Sequence, residues 1–205
     1  MKYLVYYTGG KKEKIEGDSF SDALIKAIKN GLSLQNAFLN NVVLSGVDLR
    51  GVDFSGAVLH KCFFKGSLLG AADFSGTELY ACEFEAAKAP HIIFKDARFR
   101  DSCLYHGDFN NAVFDCAYFH GVTMVEADLS FASFAHNNAA HVAFKRADLR
   151  GARIQYGCFT HCDFSDAKFG ETKMTASDFS RCVFYGANCS EVDFFDSKFI
   201  KSPRR

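Results

Sequence analysis

The sequence predicts an all-β solenoid, in which short strands stack on one another around a single apolar interior. From Leu32 to Lys201 the chain divides into 34 consecutive five-residue units with no insertion or deletion, and the middle residue is Leu, Phe, Met or Ile in 31 of them. A period of five fits neither the 3.6-residue turn of an α-helix nor the two-residue alternation of a strand. Because units this short bury their apolar side chains only by stacking, the pattern indicates a repeat architecture.

Each unit, or pentad, carries one large and one small apolar residue. The large residue occupies the central position, at residue numbers ending in 4 or 9, and 18 of the 23 Phe stand there. The position two residues earlier holds Ala 13 times, Val six times, and Cys and Ser four times each. Residues two apart in an extended segment point to the same side, so we expect both to face the interior. The other three positions are mostly polar, which predicts a short strand followed by a solvated corner.

These pentads resemble the repeats of the pentapeptide-repeat family, whose motif is A(D/N)LXX. The motif stands as ADLRG at residues 147–151, ADFSG at 72–76, ADLSF at 127–131 and VDLRG at 47–51. The resemblance covers residues 32–201 and implies a right-handed quadrilateral β-helix with four pentads per coil and about eight coils. Like residues recur 20 positions apart, as in the pairs Cys62 with Cys82 and Cys162 with Cys182, which agrees with such a coil.

The segment 1–31 predicts a small α/β cap over the first coil. KYLVYY is typical of a strand, and TGGKKEKIEG of a turn with a second short strand. SFSDALIKAIKNG predicts an amphipathic helix that starts with a capping box of Ser19 and Asp22 and stops at Gly31. Such a cap covers the unpaired edge that a solenoid exposes at its end.

The sequence predicts no comparable cap at the C-terminal end. Phe195, Phe199 and Ile200 lie in the last turn, and residues 202–205 form a short basic tail. An uncovered apolar edge favours pairing with a second copy, and members of the resembled family often pair end to end. We therefore expect a homodimer through this end, and the alternative is a monomer whose last coil frays.

Composition limits the classes of partner and compartment. The net charge is zero, with 24 basic and 24 acidic residues, which argues against direct nucleic-acid binding. No apolar stretch approaches the roughly 18 residues of a membrane span, and the N-terminus does not resemble a secretory signal. We expect a cytoplasmic protein whose eight Cys are reduced, and the stacked Cys pairs to be small buried thiols.

Acidic residues 20 apart predict a stripe along one side of the rod, and we take this stripe as the candidate partner-binding site. Its members are Asp108, Asp128, Asp148, Glu171 and Glu191. Quinolone-resistance proteins of the resembled family are rods that imitate DNA and bind DNA gyrase, so the resemblance implies gyrase as one candidate partner. The other interpretation is that Asp before the central residue is a polar, outward part of the repeat motif.

The sequence contains no motif that predicts catalysis or a cofactor. CFTHC at residues 158–162 suggests a metal site, but the register turns Cys158 and His161 outward and Cys162 inward. A surface site of His141, His161 and Cys158 is the remaining metal hypothesis, and two solvated histidines are the simpler one. The pentads AKAPH and NNAAH, with Ala89 and Ala139 at central positions, are expected to form local bulges.

We therefore predict a non-enzymatic binding or scaffold protein that acts through protein–protein contacts along a face of the rod. A DNA-mimicking protein that binds gyrase is the alternative, and a metal-dependent enzyme is the remote one. No resident metal or cofactor is expected.

Overall fold

The computed structural model describes residues 1–200, and its strands are short and evenly spaced along the chain. The N-terminal part holds β1 (Lys2–Tyr7), a 3₁₀ turn (Thr8–Gly10), β2 (Lys12–Glu16) and α1 (Phe20–Lys29). Seven strands follow: β3 (Ala37–Asn40), β4 (Val58–His60), β5 (Glu78–Tyr80), β6 (Arg98–Arg100), β7 (Tyr118–His120), β8 (Asn138–Ala140) and β9 (Cys158–Thr160). Corresponding residues of successive strands are 20 positions apart.

The strands β3 to β9 form one parallel ladder in register. Phe38 pairs with Val58, and the same 20-residue step recurs in every pair up to Asn138 with Cys158. Isolated bridges carry this column on to Lys198. Three more columns of parallel bridges start at Val43, Asp48 and Asp53, so four pentads complete one coil. The predicted fold class is confirmed.

Each coil therefore has four faces, which are named here for use below. The strand face contains β3 to β9. The second, third and fourth faces follow it along the chain, and their first central residues are Leu44, Leu49 and Phe54. Each face includes the two outward residues beside every central residue and the corner residue that follows them. The strand face and the third face lie on opposite sides of the rod.

The central side chains fill the interior, as the register predicts. Every central residue from Leu34 to Phe179 is at most 8% exposed. Rings of one face stack from coil to coil, with centroids 4.5 Å apart for Phe54 and Phe74 and 4.7 Å for Phe64 and Phe84. Rings of opposite faces meet edge to face, as Phe54 and Phe64 do at 5.8 Å. Both geometries are favourable for aromatic pairs, so the interior is a packed core.

The expectation of local bulges at Ala89 and Ala139 is wrong. Ala139 lies in β8, which pairs in register with both neighbouring strands, and the Ala89 amide donates to the Asp108 carbonyl at 2.7 Å. Pro90 occupies the outward position that follows a central residue. In other pentads the amide at this position donates to a side chain, as the Asn110 amide does. A smaller central side chain or a proline there therefore leaves the ladder bonds intact.

The corners require a left-handed backbone. Residue numbers ending in 1 or 6 have a positive φ at every position from Asn36 to Asp196 except Glu191, and 24 of these residues are not glycine. A non-glycine residue in this conformation costs about 1 kcal/mol. The repeated strain is maintained because the adjoining strands and buried central side chains fix the corner.

The N-terminal hairpin extends the strand face. β1 pairs antiparallel with β3, with Tyr6 opposite Phe38, which gives the sheet order β2-β1-β3 and then β4 to β9. Ser19 Oγ accepts a hydrogen bond from the Asp22 amide at 3.1 Å, and Leu24 of α1 is buried. The reciprocal bond of the capping box is displaced by one residue, because the Asp22 carboxylate accepts from the amide before Ser19. None of the helices within residues 1–200 has the length and apolar character needed to span a bilayer.

Candidate protein-binding site

The recesses of the rod lie on its outer surface, because large side chains fill the interior. Five recesses within residues 1–200 have volumes from about 260 to about 520 Å³. Side chains of neighbouring coils line three of them, and Tyr6 of β1 joins coil residues in a fourth. The fifth lies between β2 and α1 of the cap. A candidate binding site is therefore sought on the outer faces.

The structure stacks the predicted Asp residues on the third face. Asp108 pairs with Asp128, and Asp128 pairs with Asp148, at the usual strand spacing of about 4.8 Å. The next residue in the column is Lys168, which interrupts the row of carboxylates. The stripe thus contains three consecutive Asp residues rather than a continuous negative face.

Each of these carboxylates supports the corner that follows it. Asp128 Oδ1 accepts hydrogen bonds from the Ser130 amide at 2.9 Å and from its hydroxyl at 2.5 Å. Asp148 accepts from the Arg150 amide, and its Oδ2 lies 2.6 Å from Arg150 Nη2. The same bond, from the amide two residues later, recurs at Asp53, Asp73, Asp108, Asp163 and Asp178. An Asx turn of this kind gives the Asp of the repeat motif a structural role.

The electrostatics of Asp148 agree with that role. Burial raises the pKa of Asp148, but the hydrogen bonds and the charge of Arg150 outweigh burial and hold the pKa below its ordinary value. The Asp148 side chain is only 14% exposed, and its charge is compensated by a guanidinium. The Asp148 carboxylate is therefore less available to a partner than its place in the acidic stripe predicts.

Glu171 and Glu191 are placed differently from the three Asp residues. They lie at successive corners between the third and fourth faces, beside a recess of about 380 Å³, which we call the acidic recess. Its lining residues are Ser130, Phe131, Arg150, Gly151, Gly170, Glu171 and Glu191. Within residues 1–200, neither glutamate has a cationic nitrogen within 4.0 Å. Both carboxylates are available to a ligand.

Phe131 provides the apolar part of the acidic recess. Its side chain is 61% exposed, although it is a large aromatic residue at a corner. The ring lies over Gly151, where a Cβ atom would be only 2.6 Å from ring carbons. An exposed ring beside two carboxylates is an arrangement that accepts a Lys or Arg side chain. The sequence analysis did not single out Phe131. The available signal is a Phe at a corner position that is mostly polar, followed by a Gly 20 residues later.

The C-terminal end exposes the last layer of the interior. The central residues Phe184 and Phe194 are half-buried, and Phe199 is 48% exposed although its ring stacks on Phe179 at 5.5 Å. Phe195 points outward and is 78% exposed, and Ile200 is exposed next to Phe199. Lys201 and the basic tail 202–205 lie outside the described residues. The residues predicted for a dimer interface are thus apolar and accessible.

The cysteines and histidines do not assemble into a metal site within the part of the chain that the structure describes. His141 and His161 stack with centroids 4.8 Å apart, and Arg181 Nη1 lies 3.2 Å from His161 Nε2, which opposes a cation there. All eight cysteines are free thiols. The Cys62 thiol and burial together raise the pKa of Cys82, so this buried thiol is protonated and unreactive at neutral pH.

Comparison with solved structures finds similar folds at low identity. A trypsin-treated QnrB1, a plasmid-mediated fluoroquinolone resistance protein, is 20% identical over 79% of this chain and 82% of its own, with a TM-score of 0.49. HetL, a pentapeptide repeat protein involved in heterocyst differentiation regulation in Nostoc sp. strain PCC 7120, is 17% identical over 86% and 93%, with a TM-score of 0.33. A pentapeptide repeat protein of the Arabidopsis thaliana thylakoid lumen is 23% identical over 66% and 67%, with a TM-score of 0.31.

Sequence comparison identifies the family. A search of curated protein sequences finds no match. The family description "Pentapeptide repeats" matches eight copies within residues 30–66, 92–130, 127–166 and 162–199. These matches cover more than half of the chain. The chain belongs to the pentapeptide repeat family.

Proposed function

We propose that this protein is a non-enzymatic binding rod whose partner inserts a Lys or Arg side chain into the acidic recess. The observation that carries the proposal is that two carboxylates without a cationic partner among residues 1–200, Glu171 and Glu191, line the same recess as the exposed ring of Phe131. A cation over an aromatic face is stabilised by about 0.5–2 kcal/mol, and a carboxylate adds a charge-assisted hydrogen bond. The filled interior supports binding by surface contact rather than catalysis in a cleft.

The rest of the acidic stripe has a secondary part in this proposal. Asp128 and Asp148 stand beside the recess and add negative potential, although their oxygens are held by Ser130 and Arg150. Long-range attraction of this kind raises the rate of association more than the affinity. Replacing these residues is therefore expected to have less effect than replacing Glu171 and Glu191.

Site-specific photo-crosslinking in the native host tests the recess. A photoreactive phenylalanine analogue at position 131 should capture a discrete partner, and Glu171→Gln with Glu191→Gln should abolish the capture. Tyr156 provides a matched control, because it is 60% exposed at a corner of the same column as His136 and lies away from the recess. The same analogue at position 156 should not capture that partner. Equal capture from both positions, or capture that survives the double Gln change, refutes the proposal.

We further propose that two copies associate through their C-terminal ends. The exposed rings of Phe195 and Phe199 and the side chain of Ile200 would be covered by the same surface of a second rod, in the manner of a two-fold interface. Sedimentation should give a dimer for the natural chain and a monomer for Phe199→Glu with Ile200→Glu. Phe131→Glu, which adds a charge on the side of the rod, should remain dimeric. A natural chain that sediments as a monomer contradicts this proposal.

Gyrase binding by DNA mimicry is the second candidate, and the stacked carboxylates of Asp108, Asp128 and Asp148 are the observation in its favour. The interruption by Lys168 and the pairing of Asp148 with Arg150 weigh against it. A supercoiling assay decides between the two candidates. Protection of gyrase from a quinolone, or inhibition of supercoiling, that is lost on replacing the three Asp residues by Asn would support mimicry. Unchanged supercoiling at excess protein would exclude it.

A further inference from the structure

The strand face differs from the other three faces in charge. Between Phe38 and Ile200 its outward and corner positions carry five basic and three acidic side chains, whereas each other face carries more acidic than basic ones. The basic residues are Lys61, Arg98, Arg100, Arg181 and Lys198, and the acidic ones are Glu78, Asp101 and Asp178. A chain with zero net charge thus has one electropositive side, which attracts negatively charged groups.

Two arginines of β6 are at the centre of this positive charge. Arg98 and Arg100 are exposed on either side of the buried Phe99 and point to the same side of the sheet, about 7 Å apart along the strand. Among residues 1–200, no carboxylate oxygen lies within 4.0 Å of either guanidinium. The nearby Asp101 carboxylate turns toward Gly121, where a Cβ atom would be 2.6 Å from its Oδ1. The two guanidinium groups are therefore free to bind an external anion.

A recess borders the two arginines on each side. On the β5 side, a recess of about 260 Å³ is lined by Glu78, Leu79, Tyr80, Arg98 and Arg100. On the β7 side, a recess of about 390 Å³ is lined by Asp96, Arg98, Phe99, Arg100, Cys116 and Tyr118. Tyr80 is 44% exposed and Tyr118 is 37% exposed, so an aromatic ring flanks each side of the arginine pair. Tyr and Arg, together with Trp, are enriched among the residues that dominate the binding energy of protein interfaces.

We propose that Arg98 and Arg100 bind an acidic, extended segment of a partner protein that carries two carboxylates two residues apart. In an extended chain, residues two apart point to the same side with the same spacing as the two guanidinium groups, so each carboxylate meets one of them. Guanidinium and carboxylate form bidentate, charge-assisted pairs, and the rings of Tyr80 and Tyr118 cover the segment from both sides. This surface lies on the opposite side of the rod from the acidic recess, and the inference does not depend on that site.

A protein segment fits this surface better than a nucleic acid does. The positive charge is local, since Glu78 and Asp96 line the same two recesses and the adjoining faces are predominantly acidic. A polynucleotide that continued beyond the arginines would place further phosphates against those carboxylates. A short segment with two carboxylates meets both guanidinium groups and ends before this repulsion begins.

The test uses the full chain and a defined peptide, followed by NMR of the ¹⁵N-labelled protein. The probe is Gly-Ser-Glu-Thr-Glu-Ser-Gly at about 1 mM, a concentration at which even millimolar dissociation constants are detected. Amide shifts should be saturable and confined to β5, β6 and β7. Arg98→Gln with Arg100→Gln should weaken binding at least about tenfold, since each lost pair removes a charge-assisted hydrogen bond. Lys95→Gln with Arg153→Gln, on the fourth face, makes the same change in net charge and should bind like the natural chain.

Two further arms complete the design. The peptide with Gln in place of both Glu should not bind, and a thymidine dodecanucleotide should bind no more tightly than the Glu peptide. The inference is overturned if no shifts arise, if they persist in the Arg98→Gln and Arg100→Gln chain, or if the control variant loses binding equally. Tighter binding of the oligonucleotide would assign the surface to nucleic acid and overturn it as well. Because the variants alter exposed side chains, equal thermal unfolding of all three chains verifies their folding.

Discussion

Replacing Phe114 by Ala should destabilise the rod more than almost any surface change. Phe114 is completely buried, and its ring stacks between Phe94 at 5.3 Å and Phe134 at 4.8 Å. Truncating a buried Phe costs about 3–5 kcal/mol, and each lost aromatic pair accounts for roughly 0.5–1.5 kcal/mol. Because the stacking contacts on both sides of the ring are lost, we expect the free energy of unfolding to fall by about 4–5 kcal/mol. This is a large part of the 5–15 kcal/mol typical of a domain.

Urea unfolding followed by far-ultraviolet circular dichroism measures this loss. With a slope near 2 kcal/mol per molar urea, the midpoint of the Phe114→Ala chain should fall by about 2 M. Phe131→Ala is the matched control, because Phe131 is 61% exposed and its truncation should change stability by less than about 0.5 kcal/mol. If both variants unfolded at the same midpoint, the claim that central side chains form the packed interior would be refuted.

Three further predictions concern strain, charge and thiol exposure. Gly151→Ala should lower the free energy of unfolding in urea by about 1 kcal/mol or more, since φ is +69° and the new Cβ would contact the Phe131 ring. In a Phe131→Ala background only the cost of the backbone conformation should remain. An unchanged loss in that background would contradict the contact with the ring. Hydrogen bonds from Arg50 lower the pKa of Asp48 to about 2, so its stabilising contribution is present above about pH 4 and is lost as the pH falls toward 2. Asp48→Asn should therefore flatten the dependence of the melting temperature on pH in that range, and an identical profile would exclude this contribution. In the folded chain a thiol reagent should modify the exposed Cys116 and Cys158. The three buried thiols, Cys62, Cys82 and Cys162, should react only after unfolding, and rapid reaction of all eight would contradict their burial.

The pattern of the sequence was sufficient to predict the register. A large apolar residue every fifth position has to face the interior, because exposing so many Phe and Leu side chains to water costs about 1.5–3 kcal/mol each. The positions that deviate from this pattern were harder to interpret. Ala89 and Ala139 were expected to bulge, but the ladder bonds are made by the backbone and do not depend on the size of the central side chain.

The candidate sites depended more on the structure. The row of Asp108, Asp128 and Asp148 was predicted from the 20-residue spacing, yet the Asx turns that occupy these carboxylates involve amides two residues later, which the charge pattern does not reveal. The left-handed corners were not predicted either. The frequent Gly at numbers ending in 1 or 6 carried that signal, and Asn and Asp at the same positions are consistent with it.

By itself, the sequence determined which residues face inward, since a residue's place within the pentad depends on its number along the chain. Only the tertiary structure decided which outward side chains pair with one another and which line a common recess. That outcome depends on stacking across coils. Stacking places the Phe131 ring over Gly151 in the recess that Glu171 and Glu191 also line, and it sets the arginines of β6 between Tyr80 and Tyr118. The hairpin likewise joined the strand face through backbone bonds of β1 with β3, which carry no side-chain signature. Periodicity reports inside and outside, whereas a surface site arises from contacts between residues 20 or more positions apart.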